Sequence, residues 1–180
     1  YPEMGTGEIS TEPYHSEDYF QLEKEYIFKK CWFNAGRIED IPKAGDYVVK
    51  EVPVCDTSIV IVRRKDGGLS AFHNVCSHRG NKMAYEESGN ARSFNCRFHG
   101  WTYDHDGDLV VVPDEENYFN LDKSCLGLSM VSVDTWEGFI FVNVDPSPKE
   151  TLEEYMGDLG KGLHGYPFAE TSGQVFTFET

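Results

Sequence analysis

The sequence predicts an all-β fold, an antiparallel sandwich or barrel, that carries an N-terminal helix and a short C-terminal helix. Two observations support this prediction. Short runs rich in β-branched residues, such as TSIVIVR at 57–63, recur through the middle of the chain, and Gly-containing turn dipeptides separate them. Helical periodicity is confined to a segment near each end. Many short strands joined by tight turns are typical of β-sandwiches and β-barrels.

The N-terminal region is predicted to be an arm followed by a helix. Residues 1–15 lack periodicity, whereas Ser16 is a suitable N-cap for a helix that runs to about Lys30. Acidic residues in its first turn and lysines in its last suit the helix dipole. Three large side chains fall on one face of this helix: Tyr19, Leu22 and Tyr26. We expect this face to pack against the rest of the protein.

The middle of the chain follows a β pattern from Cys31 onward. Turn dipeptides mark three hairpins: Asp66-Gly67, Asp106-Gly107 and Glu137-Gly138. The predicted strands are 45–49, 57–63, 69–73, 92–95, 101–103, 109–112, 128–134 and 139–144. The loop at 76–83 and the loop after residue 95 then lie at hairpin tips, where a rigid scaffold can position functional side chains.

The β pattern ends at Pro146 and Pro148. Residues 149–159 (KETLEEYMGDL) predict a short helix, and the Gly-containing segment 160–167 predicts a linker. Residues 174–180 alternate like the start of a strand that has no turn and no partner after it. We expect this strand to open a further domain.

Composition limits the kinds of partner. The chain has 180 residues and a net charge of −15, which argues against nucleic acid and anionic membrane surfaces as partners. No apolar run approaches the ~20 residues that cross a bilayer. Of five cysteines, the three outside the motifs described next leave an odd number, so we expect free thiols in a reducing, cytoplasmic compartment.

Two short segments each supply one thiol and one imidazole: Cys76-Ser77-His78 and Cys96-Arg97-Phe98-His99. Two Cys and two His form the ligand set of a Rieske-type iron–sulfur centre, in which two His replace two Cys on one iron. A zinc site is the alternative, although Cys2His2 zinc sites normally take both Cys from one short segment and both His from another. Here each segment mixes the two ligand types, which favours iron–sulfur chemistry.

The sequences around these motifs, CSHRGNKM and CRFHGWTYDHDG, resemble the Rieske domain of ring-hydroxylating oxygenase large (alpha) subunits. The resemblance implies a Rieske-type sandwich with a small cluster-binding subdomain and a [2Fe–2S] cluster. Cys76 and Cys96 would bind the inner iron, and His78 and His99 the outer one. Respiratory Rieske proteins carry an additional Cys near the position of Asn81, so this sequence is more similar to the oxygenase branch.

The same resemblance implies a role in electron transfer. A ferredoxin or reductase would reduce the cluster, which would pass electrons to a mononuclear Fe(II) in the catalytic domain of the same or a neighbouring subunit. That iron would activate O2 to hydroxylate a substrate, as a dioxygenase or monooxygenase of the kind used in aromatic hydrocarbon catabolism. The full protein would be a homotrimer, possibly with a small beta subunit. No catalytic residue is predicted within this chain.

The resemblance divides the chain into three parts: an arm and helix at 1–30, the Rieske domain at 31–146, and a linker with the start of a truncated catalytic domain at 147–180. A free-standing Rieske-type ferredoxin is the alternative. Its chain would be shorter and would lack the N-terminal helix, so the ends of this sequence favour the oxygenase subunit.

The remaining candidates have structural or local roles. The family counterpart of Trp101 shields the cluster, and a core aromatic residue is a compatible interpretation. His73 is predicted to end a strand and His105 to be solvated in a turn. The cysteines outside the motifs are expected to be buried free thiols: Cys31, Cys55 and Cys125.

Three basic residues accompany the ligands in the two loops: Arg79, Lys82 and Arg97. They could form a basic rim that steers an acidic electron donor towards the cluster. The alternative is that they neutralise carboxylates within the same protein. The sequence does not decide between these interpretations.

Overall fold

The computed structural model describes residues 5–170, so the predicted strand at 174–180 lies outside the described residues. Two antiparallel sheets are present. The strands are β1 (Phe33–Arg37), β2 (Asp46–Val52), β3 (Thr57–Arg63), β4 (Leu69–His73), β5 (Ser88–Asn90), β6 (Phe94–Asn95), β7 (Thr102–Tyr103), β8 (Leu109–Val111), β9 (Met130–Trp136) and β10 (Phe139–Asn143). Helices α1 (Glu17–Tyr26) and α2 (Leu152–Lys161) flank them.

The larger sheet has seven strands in the order β1-β10-β9-β4-β3-β2-β5, and the smaller has three in the order β6-β7-β8. Every strand pair in both sheets is antiparallel. The smaller sheet is built from the segment that contains the second Cys/His motif. The predicted all-β antiparallel fold with two flanking helices is therefore confirmed.

The central strand β3 explains how one sheet supports two cores. Its side chains alternate between faces, so Ile59 and Ile61 pack into one core while Val60 and Val62 pack into the other. All four are fully buried. A strand buried on both faces reads as a continuous apolar run, which is why TSIVIVR was predicted with its correct bounds.

The core that contains Val60 and Val62 also contains the candidate ligands. It joins the larger sheet to the three-stranded sheet and includes Cys76, Cys96 and Tyr103. The ligand loops are therefore attached to a packed core rather than to a mobile tip. This arrangement corresponds to the small subdomain expected from the resemblance.

The N-terminal helix differs from the prediction in length and in packing. Ser16 is its N-cap and accepts a hydrogen bond from the backbone N–H of Tyr19, but α1 ends at Tyr26 and a 3-10 turn follows. The buried side chain of α1 is Lys24, which donates to Asp56 Oδ2 at 2.6 Å. Tyr26 is 76% exposed and Leu22 56%, so the expected packing of this face is wrong for the described part of the chain.

Other differences occur where local sequence is weakly informative. Strand β5 is an exposed Ser-Gly-Asn segment that was not predicted, and pairing with β2 creates it. Helix α2 begins later than predicted because Thr151 and Glu154 form a capping box. It continues to Lys161 across a kink at Gly157, where φ is 51°, so the predicted linker begins later.

Candidate metal centre

The two ligand loops share one backbone hydrogen-bond scheme. In each, the N–H of a glycine bonds the carbonyl of the cysteine four residues earlier: Gly80 to Cys76 at 3.0 Å and Gly100 to Cys96 at 2.9 Å. The φ angles of these glycines are 72° and 74°, a left-handed conformation that non-glycine residues adopt at a cost. The two cysteines consequently occupy equivalent positions in their loops, although the sequences of the two loops differ.

A second backbone bond closes each loop. The N–H of Cys76 bonds the carbonyl of Asn81 at 2.8 Å, and the N–H of Cys96 bonds the carbonyl of Trp101 at 2.8 Å. Both cysteine side chains are buried. The histidine follows two residues after Cys76 but three residues after Cys96. Equivalent turns thus supply two thiols and two imidazoles to one site.

Buried asparagine contacts fix the first loop further. Asn74 is 2% exposed, and its Oδ1 accepts from the backbone N–H groups of Met83 and Ala84 at 3.0 and 2.7 Å. Its Nδ2 donates to the carbonyl of Ala84 at 2.8 Å. One side chain therefore joins the start of the loop to its end. Asn74 was not predicted to have a role, because an isolated Asn before a loop carries no distinguishing signal.

The histidine rings are arranged for coordination. The rings of His78 and His99 lie with centroids 4.7 Å apart. The Nδ1 atoms of both are buried and have no hydrogen-bond partner among the described residues. A buried polar nitrogen without a partner is costly, and a metal ion would satisfy both atoms. The residues present therefore fit a metal-bearing group at the position predicted from the motifs.

The electrostatic environment favours the ligating form of the site. Burial raises the pKa of the Cys96 thiol, but backbone N–H groups of Phe98 and His99 and the side chains of Cys76 and Asn81 outweigh it, so the pKa lies below the usual range. Burial, together with the neighbouring His99 and Arg79, also lowers the pKa of His78. A thiolate and a neutral imidazole are the forms that bind metals.

The site differs from a mononuclear zinc centre. No three His, Cys, Asp or Glu side chains within residues 5–170 are placed to hold one metal ion. A binuclear cluster takes two protein ligands on each iron and inorganic sulfide for the rest. The mixed pairs of thiols and imidazoles fit that requirement.

A hydroxyl pair lies against one of the sulfurs. Tyr103 is fully buried, with its Oη 3.3 Å from Cys76 Sγ and 2.8 Å from Ser77 Oγ. Burial and the adjacent Cys76 raise the pKa of Tyr103 well above its usual range, so the phenol keeps its proton. On the other sulfur, Asn81 Nδ2 lies 3.8 Å from Cys96 Sγ. None of these three contacts was predicted, because in the sequence Tyr103 is indistinguishable from a core aromatic residue and Asn81 lies 15 positions from Cys96.

The surface around the loops is aromatic and basic. The guanidinium of Arg97 lies over the ring of Tyr85 at 4.3 Å, and that of Arg79 over the ring of Phe98 at 5.4 Å. Lys82 Nζ instead lies 3.6 Å from a Glu51 carboxylate oxygen. The two interpretations of the basic rim thus apply to different residues: Lys82 pairs with an internal carboxylate, whereas the arginines rest on aromatic rings.

The other candidates lie away from the ligand loops or serve the scaffold. His73 ends β4 as predicted, with Nδ1 2.6 Å from Thr57 Oγ1. His105 was predicted to be solvated, but it is 6% exposed and its Nε2 lies 2.8 Å from the carbonyl of Ala91. The prediction failed because local sequence indicates the turn at Asp106-Gly107 but not the segment packed against it.

None of the five cysteines forms a disulfide, and free thiols were expected at the three that lie outside the ligand loops. Of the three outside the ligand loops, Cys55 is buried, Cys31 is partly buried and Cys125 is exposed. The prediction that all three are buried is therefore wrong for Cys125, which lies in a surface turn beside Asp122. Neither helix in the described range is long and apolar enough to cross a membrane.

The family model for the Rieske [2Fe–2S] domain matches residues 31–136, more than half of the chain. The chain belongs to the Rieske [2Fe–2S] family. It is 40% identical over 147 residues to the large oxygenase component of a naphthalene 1,2-dioxygenase system from Pseudomonas aeruginosa, covering 80% of this chain and 32% of that protein. It is 38% identical over 154 residues to biphenyl 2,3-dioxygenase subunit alpha from Rhodococcus jostii, covering 85% and 33%.

Solved Rieske structures share the fold. A naphthalene 1,2-dioxygenase with indole bound in its active site superposes with a TM-score of 0.75 at 36% identity, covering 82% of this chain and 33% of the other. A quaternary ammonium Rieske monooxygenase superposes with a TM-score of 0.78 at 31% identity, covering 84% and 41%. The chain spans about a third of the length of its curated relatives. These relatives are oxygenase subunits of which the chain matches only a part, and this favours an oxygenase subunit over a free-standing ferredoxin.

Proposed function

We propose that Cys76, His78, Cys96 and His99 are the protein ligands of the Rieske [2Fe–2S] cluster of this domain. The observation that carries this proposal is the pair of buried Nδ1 atoms on His78 and His99, which have no partner among the described residues. The two buried cysteines lie in matching turns of the same loops. Two thiolates on one iron and two imidazoles on the other are the ligands that this cluster requires.

When bound, the cluster supplies one-electron transfer at a potential raised by its two neutral imidazoles, roughly −150 to +300 mV against about −400 mV for plant-type ferredoxins. The residues of the chain prepare the site. Gly80 and Gly100 hold the loops in turns that leave room for close backbone approach. Trp101 and Tyr103 exclude water from the site, since both are buried.

We further propose that the domain relays electrons within a larger oxygenase. A ferredoxin or reductase would be the donor, and the acceptor would be a mononuclear Fe(II) in a catalytic domain of the same or a neighbouring subunit, in a homotrimer with or without a small beta subunit. The matched relatives are oxygenase subunits about three times as long as this chain. In the quaternary ammonium Rieske monooxygenase, electron transfer is described as inter-subunit, which supports an acceptor on a neighbouring subunit.

The chain would accordingly divide into an arm and helix at 1–30, the Rieske domain at 31–146 and a segment at 147–180 that leads into the catalytic domain. The reaction class would be O2-dependent hydroxylation, and the names of the relatives favour an aromatic substrate: the dioxygenases named above act on naphthalene and biphenyl, at higher identity than the monooxygenase. The three cysteines that are not proposed as ligands form no disulfide, which fits a reducing, cytoplasmic compartment.

Serine substitution of each cysteine tests the ligand assignment. After reconstitution with iron and sulfide, Cys76→Ser and Cys96→Ser should lose the visible absorption of the cluster and the two bound irons per chain. Cys31→Ser, Cys55→Ser and Cys125→Ser are matched controls and should keep both. Zinc in place of iron in the purified wild-type chain, or loss of the cluster in a control with retention in Cys76→Ser, would overturn the assignment.

A further inference from the structure

Three contacts connect the ligand sulfur of the first loop to a distant surface segment. Tyr103 Oη lies 3.3 Å from Cys76 Sγ, Ser77 Oγ lies 2.8 Å from Tyr103 Oη, and Ser77 Oγ donates to the carbonyl of Leu126 at 2.7 Å. Tyr103 is fully buried, whereas Ser77 is exposed. These three contacts form a relay of hydrogen bonds that runs from the interior of the site to its surface.

The relay holds fewer hydrogens than contacts. A tyrosine and a serine hydroxyl contribute one hydrogen each, and the Leu126 carbonyl can only accept. Since Ser77 gives its hydrogen to Leu126, its oxygen faces Tyr103 as an acceptor. The single hydrogen of Tyr103 then has two acceptors, Ser77 Oγ and Cys76 Sγ.

The ligation state of the sulfur decides how severe this competition is. A thiol at Cys76 could donate its own hydrogen to Tyr103, and all three contacts would be satisfied. A sulfur that binds iron has no hydrogen and can only accept a hydrogen bond. The hydroxyl acceptor is 2.8 Å from Tyr103 Oη, a normal O–H···O distance, so Ser77 competes effectively for the hydrogen.

We infer that Ser77 is a positioning residue that draws the Tyr103 hydroxyl hydrogen away from Cys76 Sγ and thereby keeps the reduction potential of the cluster low. The inference rests on the proposed ligand role of Cys76. Hydrogen bonds to the cluster sulfurs are among the determinants of its potential, because they stabilise the extra negative charge of the reduced state. Weakening such a bond lowers the potential, and removing the competitor raises it.

Competition by Ser77 predicts the direction in which the reduction potential moves when Ser77 is replaced, and other roles of Ser77 predict a different result. If Ser77 instead donated to Tyr103, it would make the phenol a stronger donor to Cys76 Sγ, and its removal would lower the potential. If Ser77 only anchored the loop to Leu126, its removal would shift the reduction potential equally with and without the Tyr103 hydroxyl. Single and combined substitutions of Ser77 and Tyr103 distinguish both of these alternatives from competition for the hydrogen.

The experiment is a redox titration of the reconstituted chain, followed by its visible absorption. Ser77→Ala should shift the midpoint potential upward, and Tyr103→Phe should shift it downward. Ser77→Ala combined with Tyr103→Phe should match Tyr103→Phe alone, because no hydroxyl hydrogen remains to be redirected. Ser77→Thr keeps the hydroxyl and should restore the wild-type potential, and Ser129→Ala is a matched control at an exposed serine.

Several outcomes would overturn the inference. A lower or unchanged potential in Ser77→Ala contradicts it, as does an equal shift with and without the Tyr103 hydroxyl. Failure of Ser77→Ala to assemble a cluster that Ser77→Thr assembles also contradicts it, since a competitor is not needed for assembly. If the wild-type chain binds no iron–sulfur cluster, the proposed function fails as well, so the two failures are distinguishable.

Discussion

Trp101 lies almost parallel to the imidazole of His78, with ring centroids 4.4 Å apart and ring planes inclined by 8°. Trp101 belongs to the second ligand loop and His78 to the first, so the stacked pair joins the two loops. The indole is 3% exposed, and the ring of Tyr118 approaches it edge-on at 6.4 Å. One side of His78 is thereby closed to solvent by a residue that follows the second motif directly.

Removing the indole should therefore affect both stability and cluster retention. Trp101→Ala should lower the free energy of unfolding by about 3–5 kcal/mol, the usual cost of a large-to-small change in a core. Trp101→Phe keeps an aromatic ring and should lose less. Urea unfolding of the cluster-free chain measures the first effect, and the rate at which visible absorption bleaches in air measures the second. A bleaching rate in Trp101→Ala equal to that of wild type would contradict the shielding role.

The sequence predicted those parts of the fold whose cause is local or strictly periodic. Strands β3 and β4 were predicted with their observed bounds, β3 because a strand buried on both faces is a continuous apolar run and β4 because the Asp66-Gly67 turn precedes it. The ligand motifs were recognisable because their residue types are rare at that spacing. The resemblance then supplied the cofactor that the motifs alone left open between iron–sulfur and zinc.

The features that were not predicted depend on contacts between distant residues. Ser77 and Leu126 are 49 positions apart, so no local pattern indicates their hydrogen bond. The turn at His105 was predicted, but its burial depends on the segment at Ala91. The face of α1 that contains Leu22 has the spacing of a packed helix, yet the buried side chain of the helix is Lys24, which donates to Asp56 in the turn before β3. Periodicity identifies the apolar face of a helix, but it does not show whether other described residues pack against that face.

His73 should make the stability of the chain depend on pH. Its side chain is partly buried at the end of β4, and burial lowers its pKa below the ordinary value of 6.5. The unfolded chain therefore binds a proton more readily than the folded chain as pH falls below about 6.5. The neutral folded form has its full stability above that pH and loses stability as pH falls towards the folded-state pKa.

Substitution of His73 should flatten this dependence. The free energy of unfolding from urea titrations at several pH values between about 5 and 8 should fall less steeply with acid in His73→Gln than in wild type. His15→Gln, at an exposed position, is the matched control and should follow the wild-type curve. His78 contributes in the same direction in the cluster-free chain, so the difference between variants is the quantity to compare. A His73→Gln curve parallel to wild type would show that burial of His73 is not linked to folding.

The arginines of the ligand loops should matter more than Lys82 for association with the electron donor. Arg97 rests on Tyr85 and Arg79 on Phe98, and no carboxylate within residues 5–170 forms an ion pair with either guanidinium. The charge of Lys82 is already compensated by Glu51 at 3.6 Å. In a chain of net charge −15, two uncompensated cations beside the ligands form a local positive patch for the acidic ferredoxin proposed as donor.

Stopped-flow reduction by that ferredoxin measures the effect. Arg97→Gln should lower the second-order rate constant about two- to fivefold at low ionic strength, and salt of about 0.5 M should abolish the difference by screening. Lys82→Gln, which also removes one positive charge from the same loops, is the matched control and should change the rate less. Glu51→Gln should raise it, because Lys82 then loses its partner. Equal rates and equal salt slopes for wild type and Arg97→Gln, with the visible spectrum of the cluster intact, would contradict steering by these loops.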